Sequence, residues 1–139
     1  MNTSRRGDET ESTILSRLMA VGLSVSVPFG DSDRYDLVAD DGQTLHRVQC
    51  KTGNWINGTV RFNLYTSTVG ADGRVDSEYT AEEIDVYAVY SRRTEDVYWV
   101  PIRETGSGEM RLRVEDPHPN APASKINWAS DYTLTTVFG

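Results

Sequence analysis

The apolar residues near the start of the chain recur at spacings of three and four, and further on they alternate with polar residues. The first pattern predicts an amphipathic helix over residues 8–21 that is stopped by Gly22. Its apolar stripe comprises Ile14, Leu15, Leu18 and Met19. The second pattern predicts a first strand over residues 23–27. Residues 1–6 precede the helical pattern and are expected to form a mobile arm.

Two hairpin signals follow along the chain. Asp41-Gly42 separates two apolar-rich runs, and Asn57-Gly58 precedes an alternating strand over residues 59–65. Both dipeptides favour tight two-residue turns, so each predicts a pair of antiparallel strands. Residues 66–77 are polar and contain glycine, which predicts a loop that is mobile until a substrate is bound.

The second half of the chain carries further strand patterns. Residues 85–90 are almost continuously apolar or aromatic, which is typical of a strand buried on both faces, and residues 97–102 are expected to pair with them. Residues 110–114 predict another short strand. Residues 125–138 are expected to close the core or to form a dimer interface. A chain of 139 residues is long enough to bury such a core, and we expect one domain.

Three polar side chains stand out on the first hairpin: Asp36, Gln49 and Lys51. Gln49 and Lys51 are two residues apart and therefore project from one face of a strand, which Asp36 on the neighbouring strand can also reach. A carboxylate, an amide oxygen and an ammonium group on one sheet surface are costly unless they bind something. A divalent metal ion and a phosphate group would satisfy all three. Cys50 alternates with them and is predicted to be a small buried residue, not a nucleophile.

Glu11 has two interpretations. It lies three and four residues before Ile14 and Leu15, which places it near the apolar side of the helix, where it can face the polar cluster on the hairpin. Alternatively, it closes a capping box with Asp8 as the N-cap. One carboxylate does not easily serve both purposes, and the sequence leaves both open.

The residues around the hairpins include candidates for contact with nucleic acid. Arg34 ends a polar loop over residues 31–34 at the expected entrance of the site, and Tyr35 follows it. The second hairpin places polar and aromatic side chains at its tip and along one strand: Asn54, Trp55, Asn57, Arg61 and Asn63. The same alternation is also typical of an ordinary half-exposed strand, so both interpretations stay open.

The charge balance opposes nucleic-acid binding at first sight. Asp and Glu number 21 against 14 Lys and Arg, a net charge of −7, whereas nucleic-acid binders usually present a basic surface. Lys51 and Lys125 are the only lysines. Many acids with few lysines are typical of proteins adapted to high salt, in which repulsion from DNA is screened. The alternative is an acidic protein that binds no nucleic acid.

Several other classes of protein are disfavoured by composition. One cysteine forms no disulfide framework, which favours a reducing, cytoplasmic setting. Two histidines and one cysteine are too few for a zinc site, and no Ser-His-Asp set or phosphate-binding glycine loop is recognisable. No apolar run approaches the roughly 20 residues that span a bilayer.

The spacing of Asp36 and Gln49-Cys50-Lys51 resembles the core of the PD-(D/E)XK nucleases, in the variant where Gln replaces the second acid. The resemblance is closest to homing endonucleases associated with group I introns and to their archaeal relatives, with a core like that of Holliday junction resolvases. It covers roughly residues 7–103, since Tyr87-Ala88-Val89-Tyr90 and Val97-Tyr98-Trp99-Val100-Pro101 fit the same pattern. It implies an α/β, restriction-endonuclease-like core with a mixed sheet of about five strands, an N-terminal helix and a C-terminal extension over residues 104–139.

The resemblance also implies an activity and its residues. Mg²⁺, or Mn²⁺ in its place, would be bound by Asp36, the Gln49 side-chain oxygen, the Cys50 carbonyl and Glu11, and Lys51 would orient or activate the attacking water. The expected activity is cleavage of double-stranded or branched DNA by a homodimer or homotetramer, because cutting both strands needs two sites. Two alternatives remain. One is a nucleic-acid-binding module with little or no catalysis, and the other is a protein-interaction domain.

Overall fold

The computed structural model describes residues 3–121 and 125–139, and in them a long N-terminal helix leads into a strand-rich body. Helix α1 spans Thr3–Ala20 and helix α2 spans Leu134–Phe138. The strands are β1 Ser24–Ser26, β2 Leu37–Asp40, β3 Leu45–Ile56, β4 Thr59–Asn63, β5 Tyr65–Gly70, β6 Gly73–Glu78, β7 Val86–Ser91, β8 Asp96–Pro101 and β9 Glu109–Arg113. Two short 3₁₀ turns, Ile102–Glu104 and Ala129–Asp131, follow β8 and precede α2.

Strand β3 is the centre of the sheet because it pairs with three other strands. Its middle pairs in parallel with β7, and its two ends pair antiparallel with β2 and β4. Strands β1, β8 and β9 extend the sheet beyond β2, β7 and β4. The predicted mixed α/β fold with an N-terminal helix is therefore confirmed, with seven strands in the main sheet instead of about five.

Two sequence features allow β3 and β4 to turn back on each other. Asn57 and Gly58 both have positive φ angles, 49° and 77°, as the predicted two-residue hairpin requires. At Gly53 a Cβ atom would lie 2.5 Å from Cγ1 of Val60, so only glycine lets β4 pass this close.

The core has two parts, one on each face of the central strands. Helices α1 and α2 cover the first part, which includes Ile14, Leu18, Leu37, Val48, Ala88, Trp99 and Leu134. The second part includes Val60, Phe62, Leu64, Ile84, Tyr87, Val89, Tyr98, Val100 and Leu112. Ala129 and Leu134 are buried in these two parts. The C-terminal segment therefore closes the core, which is one of the two roles predicted for it.

Two predictions about irregular segments are wrong. The arm expected over residues 1–6 is helical from Thr3 onward; residues 1–2 lie outside the described part of the chain. Residues 66–77 form no loop but most of a hairpin, in which β5 pairs with β6 from Tyr65 to Glu78. No helix among the described residues is long and apolar enough to cross a membrane.

Candidate active site

A gap in the pairing of β3 forms the centre of the site. Strand β2 pairs with β3 as far as Val48, and β4 begins to pair at Asn54. The backbone carbonyl of Val48 accepts from the Asp36 N–H at 2.8 Å, and alternate residues of a strand direct their backbone groups to the same edge. Cys50 and Thr52 therefore direct theirs to an edge that neither neighbouring strand occupies.

Asp36 lies at this gap, immediately before β2. Its Oδ2 accepts a 3.0 Å hydrogen bond from the Cys50 N–H, which turns the carboxylate toward the open edge of β3. Burial raises the pKa of Asp36, while the Cys50 hydrogen bond and the charge of Lys51 oppose that rise. A carboxylate whose charged form is penalised by burial gains from any cation that binds beside it.

Gln49 is buried, at 7% exposure, and its orientation is fixed. Its Nε2 donates a 2.7 Å hydrogen bond to the backbone carbonyl of Arg34. Because the amide nitrogen is engaged, Oε1 is the atom of this side chain that can act as a metal ligand. The amide oxygen is the metal-binding atom that the sequence analysis expected from this side chain.

Glu11 projects from α1 toward the same place. The Asp36 charge, after burial, is a cause of its raised pKa, so the two carboxyl groups are close enough to repel. The capping box with Asp8 is wrong, because α1 begins at Thr3 and both residues lie inside the helix. Next to Glu11, Thr10 is 5% exposed and forms a 2.7 Å hydroxyl–hydroxyl hydrogen bond with Thr52, which attaches the helix to β3.

The Lys51 ammonium is held by groups of β4 and β5. It donates to Oδ1 of Asn63 at 2.7 Å and to the backbone carbonyl of Tyr65 at 2.8 Å. It also lies 5.0 Å from the centroid of the Tyr79 ring. Burial lowers the pKa of Lys51 to about 8; Asp36 opposes this shift and Arg34 adds to it.

Arg34 closes the other side of this enclosure. Its guanidinium stacks 4.5 Å from the Tyr79 centroid and donates to Ser77 and to the Glu78 carbonyl at 3.1–3.2 Å. Its buried Nε has no hydrogen-bond partner in the described structure and forms a 3.5 Å ion pair with Glu83. Because these contacts are intramolecular, a DNA contact by Arg34 has to compete with them.

The other residues predicted to contact nucleic acid lie at different places. Asn54 is exposed and faces Arg61 across β3 and β4, so these two share one surface. Asn63 is engaged by Lys51. The remaining three have mainly structural contacts: Tyr35 packs on the second core part, Trp55 lies under the Arg93 guanidinium at 4.7 Å, and the Asn57 carbonyl accepts from Arg113.

Sequence reasoning missed the residues that surround Lys51. The Tyr65 carbonyl comes from the start of β5, and Tyr79 directly follows β6. No local spacing connects these positions to Lys51. They become neighbours because β5 and β6 form a hairpin, which brings Tyr65 opposite Glu78.

The residues at the gap fit a hard divalent cation. Carboxylate, amide and carbonyl oxygens are its preferred ligands, and Asp36, Glu11, Gln49 and Cys50 supply them. Within residues 3–121 and 125–139, no three His, Cys, Asp or Glu side chains converge as a metal site. The oxygen donors at the gap are hard ligands, whereas softer metals prefer thiolates and imidazoles. Burial also raises the pKa of the Cys50 thiol, so its carbonyl is the better ligand.

Comparisons with known proteins show the fold and the family. A search of curated proteins finds no significant match. The solved structure of a bacterial homing endonuclease, I-Ssp6803I, superposes with a TM-score of 0.76 at 24% identity, covering 97% of this chain and 90% of that one. At this identity the likeness shows the fold. A model of the PD-(D/E)XK endonucleases matches residues 1–135, and because that match spans nearly the whole chain, the protein belongs to the PD-(D/E)XK endonuclease family.

Proposed function

We propose that this protein is a metal-dependent DNA endonuclease that hydrolyses phosphodiester bonds at the gap in β3. The observation that supports this most is the 3.0 Å hydrogen bond from the Cys50 N–H to Asp36, which holds that carboxylate beside the unpaired stretch of β3. The proposed ligands are Asp36, the Gln49 amide oxygen and the Cys50 carbonyl, three oxygens of the type that Mg²⁺ or Mn²⁺ prefers.

Each residue of the proposed ligand set has a different role. A bound divalent cation supplies charge neutralisation on the phosphate and a more acidic water. Asp36 holds the negative charge that attracts the cation, and Gln49 contributes an oxygen without adding a second charge. Glu11, whose pKa is raised partly by Asp36, carries the further carboxylate on the helix side.

Lys51 is the group available to the phosphate and the attacking water. It carries a positive charge next to Asp36 and is enclosed by Asn63, Tyr65 and Tyr79, which exclude bulk water from most of its side chain. A positive charge in such a partly dry site stabilises the negative charge that grows on the phosphoryl oxygens. Its position two residues after Gln49 keeps it on the same side of β3.

One described subunit contains one such site. Cutting both strands of a duplex needs two sites, and closed symmetric assemblies are the usual way to supply them. We therefore propose a homodimer or homotetramer as the active form. The mass of the protein in solution, measured with and without duplex DNA, tests this part separately from the chemistry.

The test of the activity uses supercoiled plasmid and a four-way branched DNA in parallel. Each is incubated with Mg²⁺, Mn²⁺, Ca²⁺ or EDTA at salt concentrations from 0.1 to 3 M KCl. Cleavage that requires Mg²⁺ or Mn²⁺ and disappears in EDTA is expected. Absence of cleavage on both substrates at every salt concentration would overturn the proposal.

A second candidate is a nucleic-acid-binding protein with little catalysis. It is favoured by the arrangement of Lys51, whose ammonium is held by two hydrogen bonds to Asn63 and Tyr65 instead of facing Asp36 directly. Binding of branched or duplex DNA without cleavage, under every metal condition above, would support this candidate.

A further inference from the structure

Strands β5 and β6 form a two-stranded ribbon beside the site. In the described structure they pair with each other and with no other strand, and the side chains of residues 67–78 are exposed. Six residues per strand give a ribbon roughly 20 Å long at about 3.4 Å per residue. A two-stranded ribbon of this kind fits the DNA major groove, which is about 12 Å wide.

The register gives the ribbon two different faces. Directly opposite residues share a face, so one face, the charged face, carries Tyr65, Ser67, Val69, Arg74, Asp76 and Glu78. The other, the hydroxyl face, carries Thr66, Thr68, Val75 and Ser77. In a chain with net charge −7, the hydroxyl face is free of carboxylates.

The polar groups of the charged face bind one another. Asp76 Oδ1 accepts from Ser67 Oγ at 2.7 Å and from Arg74 Nε at 2.8 Å. The Arg74 guanidinium also lies 5.9 Å from the Tyr65 ring centroid. With Asp76 and Glu78 on it, this face would repel phosphates.

The hydroxyl face adjoins the candidate active site. Ser77 Oγ accepts a 3.1 Å hydrogen bond from Arg34, and Thr66 is hydrogen-bonded to Tyr79. Tyr79 in turn contacts Lys51. DNA that places a phosphate at Lys51 would therefore pass along the hydroxyl face. Thr and Ser hydroxyls donate to and accept from base edges, and Thr and Val methyl groups contact the thymine methyl.

We propose that the hydroxyl face of the β5–β6 ribbon reads base pairs in the major groove next to the phosphate that is cut. Thr68 and Val75, which lie opposite each other and away from the anchored base of the ribbon, are its specificity-determining pair. From the ribbon length, they read positions within roughly six base pairs of the cut, at about 3.4 Å per base pair. This inference rests on the proposed endonuclease function.

The two valines of the ribbon provide a matched test. Val75 is 59% exposed on the hydroxyl face, and Val69 is 84% exposed on the charged face, so Val75→Ala and Val69→Ala make the same change on opposite sides. Wild type, these two variants and Thr68→Ala are each incubated with a duplex library of randomised sequence and Mg²⁺, and the cut ends are sequenced. Equal unfolding midpoints show that the ribbon variants stay folded.

The expected result is a loss of preference, roughly 10-fold, at one or two neighbouring positions for Val75→Ala and Thr68→Ala, since a mismatched base pair typically costs about 1–3 kcal/mol. Val69→Ala should keep the wild-type profile. Identical profiles for all four proteins would overturn the ribbon proposal while leaving cleavage intact.

If wild type cuts nothing, the library is selected for binding in Ca²⁺ instead. Enrichment that depends on Val75 but not on Val69 then keeps the ribbon proposal although cleavage has failed, and absence of any enrichment overturns both.

Discussion

The Lys51 ammonium donates a 2.7 Å hydrogen bond to Oδ1 of Asn63, a residue of the neighbouring hairpin strand. This contact makes Asn63 a positioning residue for the lysine in addition to its predicted contact with DNA. Since Lys51 keeps its bond to the Tyr65 carbonyl, loss of the Asn63 oxygen would shift the ammonium without releasing it.

Replacing Asn63 with Ala should therefore lower kcat with little change in KM. A displacement of about 1 Å in a catalytic group can reduce the rate by about 100-fold. Asn54→Ala is the control, because Asn54 lines the same cleft with Lys51 but does not contact its ammonium. It should raise KM and leave kcat unchanged. If both variants raise KM and neither lowers kcat, Asn63 acts by contacting DNA and not through Lys51.

The second prediction concerns the proposed metal-binding carboxylate. Asp36→Asn keeps an acceptor for the Cys50 N–H but removes the negative charge, so cleavage should fall by about 10³-fold or more, the range typical of losing an electrostatic catalytic group. Asp33→Asn removes an exposed carboxylate three residues earlier and should leave cleavage unchanged. Cleavage is measured at several Mg²⁺ concentrations. Activity of Asp36→Asn near that of wild type would remove Asp36 from the site.

Much of the fold could be predicted because local patterns agree with it. The turn at Asn57-Gly58, the buried strand β7 and most of the helical stripe follow from short-range sequence rules, although Met19 is exposed. The first hairpin also forms, but residues 41–44 connect its strands instead of the predicted two-residue turn at Asp41-Gly42. The β5–β6 ribbon could not be predicted, because its strands are exposed on both faces and lack the apolar alternation that marks a buried strand. Lys51 and Asp36 were found from spacing, whereas Tyr79 needed the three-dimensional path of the ribbon.

Asp36→Asn should also change stability, and in a pH-dependent direction. The folded-state pKa of Asp36 is raised by burial, so its charged form is less favourable in the folded protein than in the unfolded chain. Protonation of Asp36 therefore stabilises the folded state relative to the charged form. This stabilisation is present below the pKa of Asp36 in the unfolded chain, about 3.9, and is lost as the pH rises through its higher pKa in the folded protein. Near pH 7 the variant should therefore be more stable than wild type. Urea unfolding at pH 7, 5 and 4 should show this gap narrowing as the pH falls, and a variant less stable than wild type at pH 7 would contradict the burial effect.

Asp85 should show the opposite pH dependence. It accepts hydrogen bonds from the backbone N–H, Nε and Nη2 of Arg47, at 2.7–3.0 Å, which join the start of β3 to the start of β7. Arg47 lowers the pKa of Asp85, so this stabilisation is present above the unfolded pKa, about 3.9, and is lost as the pH falls through the lower folded value. Asp85→Asn should reduce the free energy of unfolding by about 1–2 kcal/mol at pH 7, and by less at pH 3.5.

Asp76→Asn provides the comparison for Asp85. Asp76 also pairs with an arginine, Arg74, and its pKa is also lowered, but the pair is exposed on the ribbon. Exposed pairs contribute little to stability because water and salt screen them. The variant should therefore unfold close to wild type at both pH values. An equal loss of unfolding free energy in Asp85→Asn and Asp76→Asn would mean that the position of the Arg47–Asp85 pair between two strands has no effect on stability.

The last prediction concerns salt. Of the 21 carboxylates, 15 are exposed, including those in the loops at Asp31, Asp33, Asp72 and Asp116. With a net charge of −7, this surface repels itself and also repels DNA at low salt. The Debye length falls from about 10 Å at 0.1 M to about 3 Å at 1 M, so added salt removes both penalties. The unfolding midpoint, and the rate of cleavage, should therefore rise with KCl from 0.1 M into the molar range. At still higher salt, attractive phosphate contacts weaken as well and the rate should fall again.

A variant with Asp31, Asp33, Asp72 and Asp116 changed to Asn tests the cause, because it should be more stable than wild type at 0.1 M and respond less to salt. A wild-type protein that is most stable and most active at the lowest salt would contradict adaptation to high salt, and its acidity would then count against binding DNA.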